Sequence, residues 1–110
     1  MLYQEEEDST VFHAGRIFNV NKLLRSAQHI PVLQIDINRF KGIVKPDALD
    51  PDRVQRADYT KPIIYCDDPE WGWVPLDGAH RIAKAMLEGV SKIPAKKFPY
   101  QWLTKIEKES

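Results

Sequence analysis

The chain has 110 residues and balances 16 Lys plus Arg against 16 Asp plus Glu, so its net charge at pH 7 is zero. That length allows one domain with a modest core, and the balanced charge excludes DNA binding driven by bulk electrostatics, which needs a basic surface. A single cysteine, Cys66, excludes an intrachain disulfide and a Cys-rich zinc site, and no apolar run reaches the length of a membrane span, so no membrane contact is expected.

Met1 leads into Glu5-Glu6-Glu7-Asp8 with no signal peptide in view. Residues 1–10 therefore read as a flexible, solvated acidic arm, 11–110 as the single domain, and the setting as cytoplasmic. Val11 and Phe12 start a short strand. Asn19 is an N-cap, and Val20, Leu23, Leu24 and Ala27 keep helical spacing, which predicts a first helix over 20–28 ended by Pro31. Residues 32–37 alternate apolar and polar after Val32 and predict a half-buried strand. The basic stretch 38–48, with Arg39, Lys41 and Lys45 around Gly42, reads as a loop. A helix start follows over 49–56, capped by Asp50, with Pro51 where no amide proton is missed.

Residues 62–66 are mostly apolar and predict a buried strand. Asp67-Asp68-Pro69-Glu70 is turn chemistry, and 73–76 returns, so 62–76 is a hairpin. Pro75 places part of the second strand on an edge or at a bulge. A helix follows Arg81, burying Ala79, Ile82, Ala83 and Met86 and stopping at Gly89. Residues 92–98 predict a strand, and Pro99 opens a terminal helix packed through Tyr100, Trp102, Leu103 and Ile106.

The stretch that carries chemistry is Asp77-Gly78-Ala79-His80-Arg81, set between the hairpin and the amphipathic helix. A strand-to-helix turn leaves its first amides unpaired at the positive end of the helix dipole, and His80 and Arg81 add two potential cations in the same turn. An anion, above all a phosphate, is the ligand such a turn suits. The bland alternative is a tight turn with a capping histidine and a surface arginine. Asp77 is either a helix cap or a group that holds Mg2+ or a substrate hydroxyl. Lys61 reads as an exposed lysine unless it reaches the phosphate. His13 and His29 have no neighbours at metal-ligand spacing, so no metal site is expected. Trp71, Trp73 and Trp102 read as packing groups rather than a base-stacking platform.

Asp77-Gly78-Ala79-His80-Arg81, followed by Ala83, resembles the glycine-x-His-Arg turn of the ParB/sulfiredoxin superfamily in its Asp-Gly-x-His-Arg form. Leu49-Asp50-Pro51-Asp52-Arg53-Val54-Gln55 is similar to the leucine-aspartate-proline helix start of sulfiredoxins, and Ile93-Pro94-Ala95-Lys96 to their strand after the motif helix. The resemblance covers about residues 30–98. It implies a small α/β (α+β) fold with a mixed sheet of about four strands. It also implies a nucleotide, ATP or CTP with Mg2+ as an accompanying ion. The phosphates would lie on Gly78, Ala79, His80 and Arg81, with Arg53, and Arg56 one turn on, reaching in from the preceding helix. If there is turnover, Asp77 and His80 are the catalytic candidates.

Three departures narrow the function. Sulfiredoxins carry their reactive cysteine immediately before the His-Arg pair, and here that residue is Ala79, which cannot supply a thiolate. The helix-turn-helix DNA-binding module that follows this fold in partition proteins is not expected here. The free serine kinases of the superfamily use a glutamate base near the first strand. This chain has only Asp36 there, with Asp47, Asp50 and Asp52 farther along. The expected function is a nucleotide-binding regulatory or switch module. A small-molecule phosphotransferase or nucleotide hydrolase is one alternative. The other is an interaction protein with a degenerate pocket, meeting a protein partner through the tryptophan hairpin or the acidic arm.

Overall fold

The structure is a computed structural model and describes residues 10–108. The expected acidic arm lies outside these residues except for Thr10, which opens a strand. β1 (Thr10–His13) and β2 (Arg16–Asn19) form an antiparallel hairpin. Its two-residue turn has Ala14 at φ 53° and Gly15 at φ 77°. Two positive φ values give the turn the hand that matches strand twist. α1 (Val20–Ser26) starts where expected, with Asn19 Oδ1 accepting from the Lys22 amide at 3.0 Å. It ends earlier than the expected 20–28. The Ala27 amide still donates to Leu23 O at 2.9 Å, while Lys96 Nζ donates to Ala27 O at 2.9 Å. A lysine from a distant strand thus takes one of the last carbonyls, and Pro31 is not the stop.

β3 (Leu33–Asp36) is shorter than expected because Asp36 Oδ1 accepts from the Asn38 amide at 2.9 Å and turns the chain into a 3₁₀ helix, Ile37–Phe40. A second 3₁₀ helix spans Pro46–Ala48. The stretch expected to be a loop therefore contributes Phe40 and Val44 to the core. α2 (Pro51–Arg56) carries its cap as expected, with Asp50 Oδ1 accepting from the Asp52 amide at 3.0 Å. β4 (Ile63–Asp68) and β5 (Gly72–Asp77) make the predicted hairpin, and β4 extends through Asp68, past the expected start of the turn. α3 (Ala79–Leu87) begins one residue after Gly78 and already includes Ala79, His80 and Arg81. It fully buries Ile82, Ala83 and Ala85, whereas Ala79 and Met86, expected on that face, are only half-buried. β6 (Lys92–Lys97) follows, and the chain closes with a 3₁₀ turn, Tyr100–Trp102, and the single turn of α4 (Leu103–Ile106) rather than one continuous helix.

The main sheet has the order β3-β6-β4-β5. β3 and β5 pair antiparallel to their neighbours and β4 pairs parallel to β6, so the sheet is mixed and the domain α+β. β4 reads as a nearly continuous apolar run because both its faces are covered. Ile63 and Tyr65 enter a core with Phe40 and with Val54 of α2 and Ile82 of α3. Ile64 and Cys66 enter a second core with Phe18 of β2, Leu23 of α1, Phe98 and Leu103 of α4. Alternation along a strand sends neighbouring side chains to opposite faces, so the sheet is the middle of three layers. Pro75 sits on the edge strand where the register shifts, Ile64 facing Asp77 and Tyr65 facing Pro75 with Leu76 left over, as the sequence predicts.

The N-terminal hairpin is fastened near its turn, from both strands. Arg16 Nη2 lies 2.8 Å from Glu107 Oε1, and the Lys108 amide donates to Ile17 O at 2.8 Å. At its tip His13 Nε2 lies 2.8 Å from Asp68 Oδ2, while Asp68 Oδ1 accepts from the amides of Glu70 at 2.7 Å and Trp71 at 3.1 Å. Burial pushes the Asp68 carboxyl up, but the His13 contact and the two amides outweigh it, so the net shift is downward. A depressed carboxyl contributes stability above its ordinary range and loses it as pH falls through the folded value. Urea midpoints should therefore fall as the protein is acidified below about pH 4. Asp68→Asn should lower the midpoint at neutral pH and flatten this acid limb. An acid limb as steep in Asp68→Asn as in wild type would assign the loss to other carboxyls, such as Glu107, which Arg16 also holds down.

Candidate functional site

β5 ends at Asp77, and the chain enters α3 through Gly78, the N-cap, at φ 107° and ψ 21°. A Cβ there would lie 2.6 Å from Ile63 Cγ2 and 2.9 Å from Ile63 Cβ. Glycine is required twice over, by a backbone region closed to other residues and by the close approach of β4. The first internal bond of α3 runs from the Ile82 amide to Gly78 O at 3.0 Å. The amides of Ala79, His80 and Arg81 therefore precede the helical ladder, at the end of the helix that carries partial positive charge.

Beside this turn opens a cleft of about 360 Å³. One wall is Asp77, Gly78, His80 and Arg81, and the other is Arg53 and Arg56 of α2 with Ala57, Asp58 and Lys61 of the following loop. Of the six positions at which the sequence expects phosphate contacts, five line it: Gly78, His80, Arg81, Arg53 and Arg56. Ala79 does not. α2 and α3 are distant in sequence and meet because both cover the same face of the sheet through Val54 and Ile82.

Arg81 has a partner in the protein itself. Its Nη1 donates to Pro62 O at 3.0 Å and lies 3.9 Å from Asp77 Oδ2, with the two side chains 28% and 30% exposed. Arg81 is therefore more than a surface arginine: it ties the first turn of α3 to the residue before β4. Asp77 likewise is not the helix cap, since that position is Gly78 and no side chain caps it.

Asp58 was not among the expected site residues. Thr60 donates to its Oδ1 through both hydroxyl and amide, and these bonds, the hydroxyl first, hold its carboxyl below the usual range, with Lys61 and Arg81 adding to the effect. The Asp-x-Thr turn just after a helix is the local signal that marks it. None of Asp36, Asp47, Asp50 and Asp52 lines this cleft. Asp36 and Asp50 accept backbone amides as caps, and Asp47 lines a different groove, by Ile37 and Met86. Among the described residues no group of three or more His, Cys, Asp and Glu is placed to hold a metal ion.

Cys66 is fully buried, and burial, with Asp68 and Asp67 adding, pushes its thiol up to about 11. It stays protonated at neutral pH and is shielded from solvent. Trp73 stacks on Tyr65 at 4.3 Å, with the Arg39 guanidinium 4.3 Å above its ring, and Trp102 packs edge-on to Phe98 at 5.7 Å. Both are packing groups. Trp71 is 60% exposed at the hairpin tip. No helix among the described residues is long and apolar enough to cross a membrane. The chain matches no protein-family model, no curated protein and no solved structure.

Proposed function

We propose that this chain is a nucleotide-binding domain of the ParB/sulfiredoxin kind, which holds the phosphates of a nucleoside di- or triphosphate between α2 and the first turn of α3 and acts as a regulatory or switch module. The observation that carries the proposal is the local charge of the cleft. Arg53, Arg56, Lys61 and Arg81 line it against only Asp58 and Asp77, in a chain with no net charge. The excess is a feature of this site and not of the whole surface, and it coincides with the helix end that favours anions. Each charge-assisted bond to a phosphate contributes about 1.5–3 kcal/mol. In an open cleft the ion pairs are screened, so affinity should weaken with salt.

If Mg2+ accompanies the nucleotide, Asp77 and Asp58 are the carboxylates available to it on the cleft walls. The same two groups, with His80, are what a phosphotransferase or hydrolase would use, so turnover is the second reading. Calorimetric titration with ATP, ADP, CTP and GTP up to millimolar concentration tests the proposal, and saturable binding of any of them supports it. If none binds, it fails and the exposed Trp71 hairpin becomes the surface to test against protein partners. Phosphate release with and without candidate alcohols then separates a switch from an enzyme. Sulfinic acid reduction is expected to be absent, because Ala79 replaces the nucleophile and Cys66 is protonated and buried. A peroxiredoxin repair assay with ATP and thiol should stay at background, and activity lost on Cys66→Ser would prove this wrong.

A further inference from the structure

α2 brings Arg53 and Arg56 to the cleft, yet it is only six residues long. A helix so short does not hold itself together and depends on what fastens its ends. The N-terminal end has Asp50 and Pro51. At the C-terminal end the Ala57 amide donates to Val54 O at 3.1 Å, which leaves the last carbonyls to find donors elsewhere. Lys84 of α3 supplies them. Its Nζ donates to Gln55 O at 2.8 Å and to Ala57 O at 3.0 Å. These carbonyls bracket Arg56, and Ala57 is itself part of the cleft wall.

Lys84 does not line the phosphate cleft. It lies in a separate groove with Pro51, Val54 and Leu87. One helix, α3, therefore presents Gly78, His80 and Arg81 to the cleft directly and reaches around α2 to hold the opposite wall by its backbone. We propose that Lys84 is a positioning residue for the anion site: by clamping the carbonyls of Gln55 and Ala57 it sets the spacing between the α2 arginines and the α3 turn, and so the affinity of the cleft. This rests on the reading of the cleft as a phosphate site.

The test compares wild type with Lys84→Met, which keeps the aliphatic stem and removes the donor, and with Lys84→Arg, which restores a charged donor. The probe is inorganic tripolyphosphate, which asks about the phosphate grip without a base. Binding is measured by calorimetry at low and high salt, at a temperature where circular dichroism shows every variant folded, and amide exchange of residues 54–57 is followed without ligand. Lys84→Met is expected to bind at least about fivefold more weakly, with faster exchange confined to the end of α2, and Lys84→Arg to regain most of the affinity. A through-space loss of charge shrinks as salt is added, whereas loss of the clamp leaves the ratio to wild type unchanged. Lys84→Gln, shorter and uncharged, provides the same comparison if the methionine variant does not fold. Wild-type affinity in both uncharged variants, or a deficit that salt abolishes, overturns the clamp while leaving the phosphate site intact. If wild type itself does not bind tripolyphosphate, the reading of the cleft fails and the clamp's role in affinity fails with it.

Discussion

Gly78→Ala should be the most damaging single-methyl change in the protein, costing about 2–4 kcal/mol of stability and lowering Tm by roughly 10 °C or more. Two independent effects add. The residue sits at φ 107°, where an L side chain is strained, and the new Cβ would lie 2.6 Å from Ile63 Cγ2 and 3.3 Å from Ile63 Cα. Ile63 is fully buried in the core with Val54 of α2 and Ile82 of α3, so neither partner has room to move. Gly42→Ala is the control. Gly42 has φ 85° but nothing within 4 Å of the added Cβ, so only the backbone term applies, about 1 kcal/mol. Thermal unfolding of the two variants separates the terms. Equal losses would mean that the close approach to Ile63 contributes nothing. Because Gly78 also opens the turn proposed to hold the phosphates, surviving folded Gly78→Ala protein should bind nucleotide poorly.

The second large effect concerns Arg81 and is read in affinity. Arg81→Ala should weaken nucleotide binding about ten- to a hundredfold, the loss of one charge-assisted or bidentate contact. Arg81→Lys should also lose affinity. A guanidinium can keep its bond to Pro62 O through one nitrogen while another faces the ligand, and an ammonium presents no such fork. Arg56→Ala, at the end of α2, should cost less than Arg81→Ala, and Arg53→Ala should fall between them. Arg81→Ala also removes the tie to β4, which should lower stability by about 1 kcal/mol. Binding isotherms and melting curves on the same samples distinguish the two losses. An Arg81→Ala variant that melts early yet binds as wild type would make Arg81 a strut and move the phosphate elsewhere.

The same structure explains which features local sequence determined. β4 and α3 were legible because one physical rule covers each. An apolar run of strand length means burial on both faces, and helical spacing closed by Gly89 means an amphipathic helix with a glycine stop. The Asp50 cap and Pro51 marked the start of α2, and Pro75 marked an irregular edge strand, for equally local reasons. The Asp-Gly-x-His-Arg turn was visible because its glycine, His80 and Arg81 stand together in the chain. The hairpin turn at Ala14-Gly15 was missed because its first residue is not of the usual turn types, and with it β2. Phe40 and Val44 were missed as core because a 3₁₀ turn between short elements shows neither the strand nor the helix period.

Local sequence could name Arg53, Arg56 and Arg81, but only the resemblance implied that they meet, and no short-range signal brings them to one cleft. That depended on β4 lying parallel to β6 and on α2 and α3 packing over the same face of the sheet. Nor could local sequence pair His13 with Asp68, 55 residues away, or send Lys84 to the carbonyls of Gln55 and Ala57, on either side of Arg56. Periodicity, caps and turn residues are short-range quantities, set by backbone sterics and the nearest few side chains. The cleft is a distance between two helices, and that distance exists only once the sheet beneath them has its strand order and register.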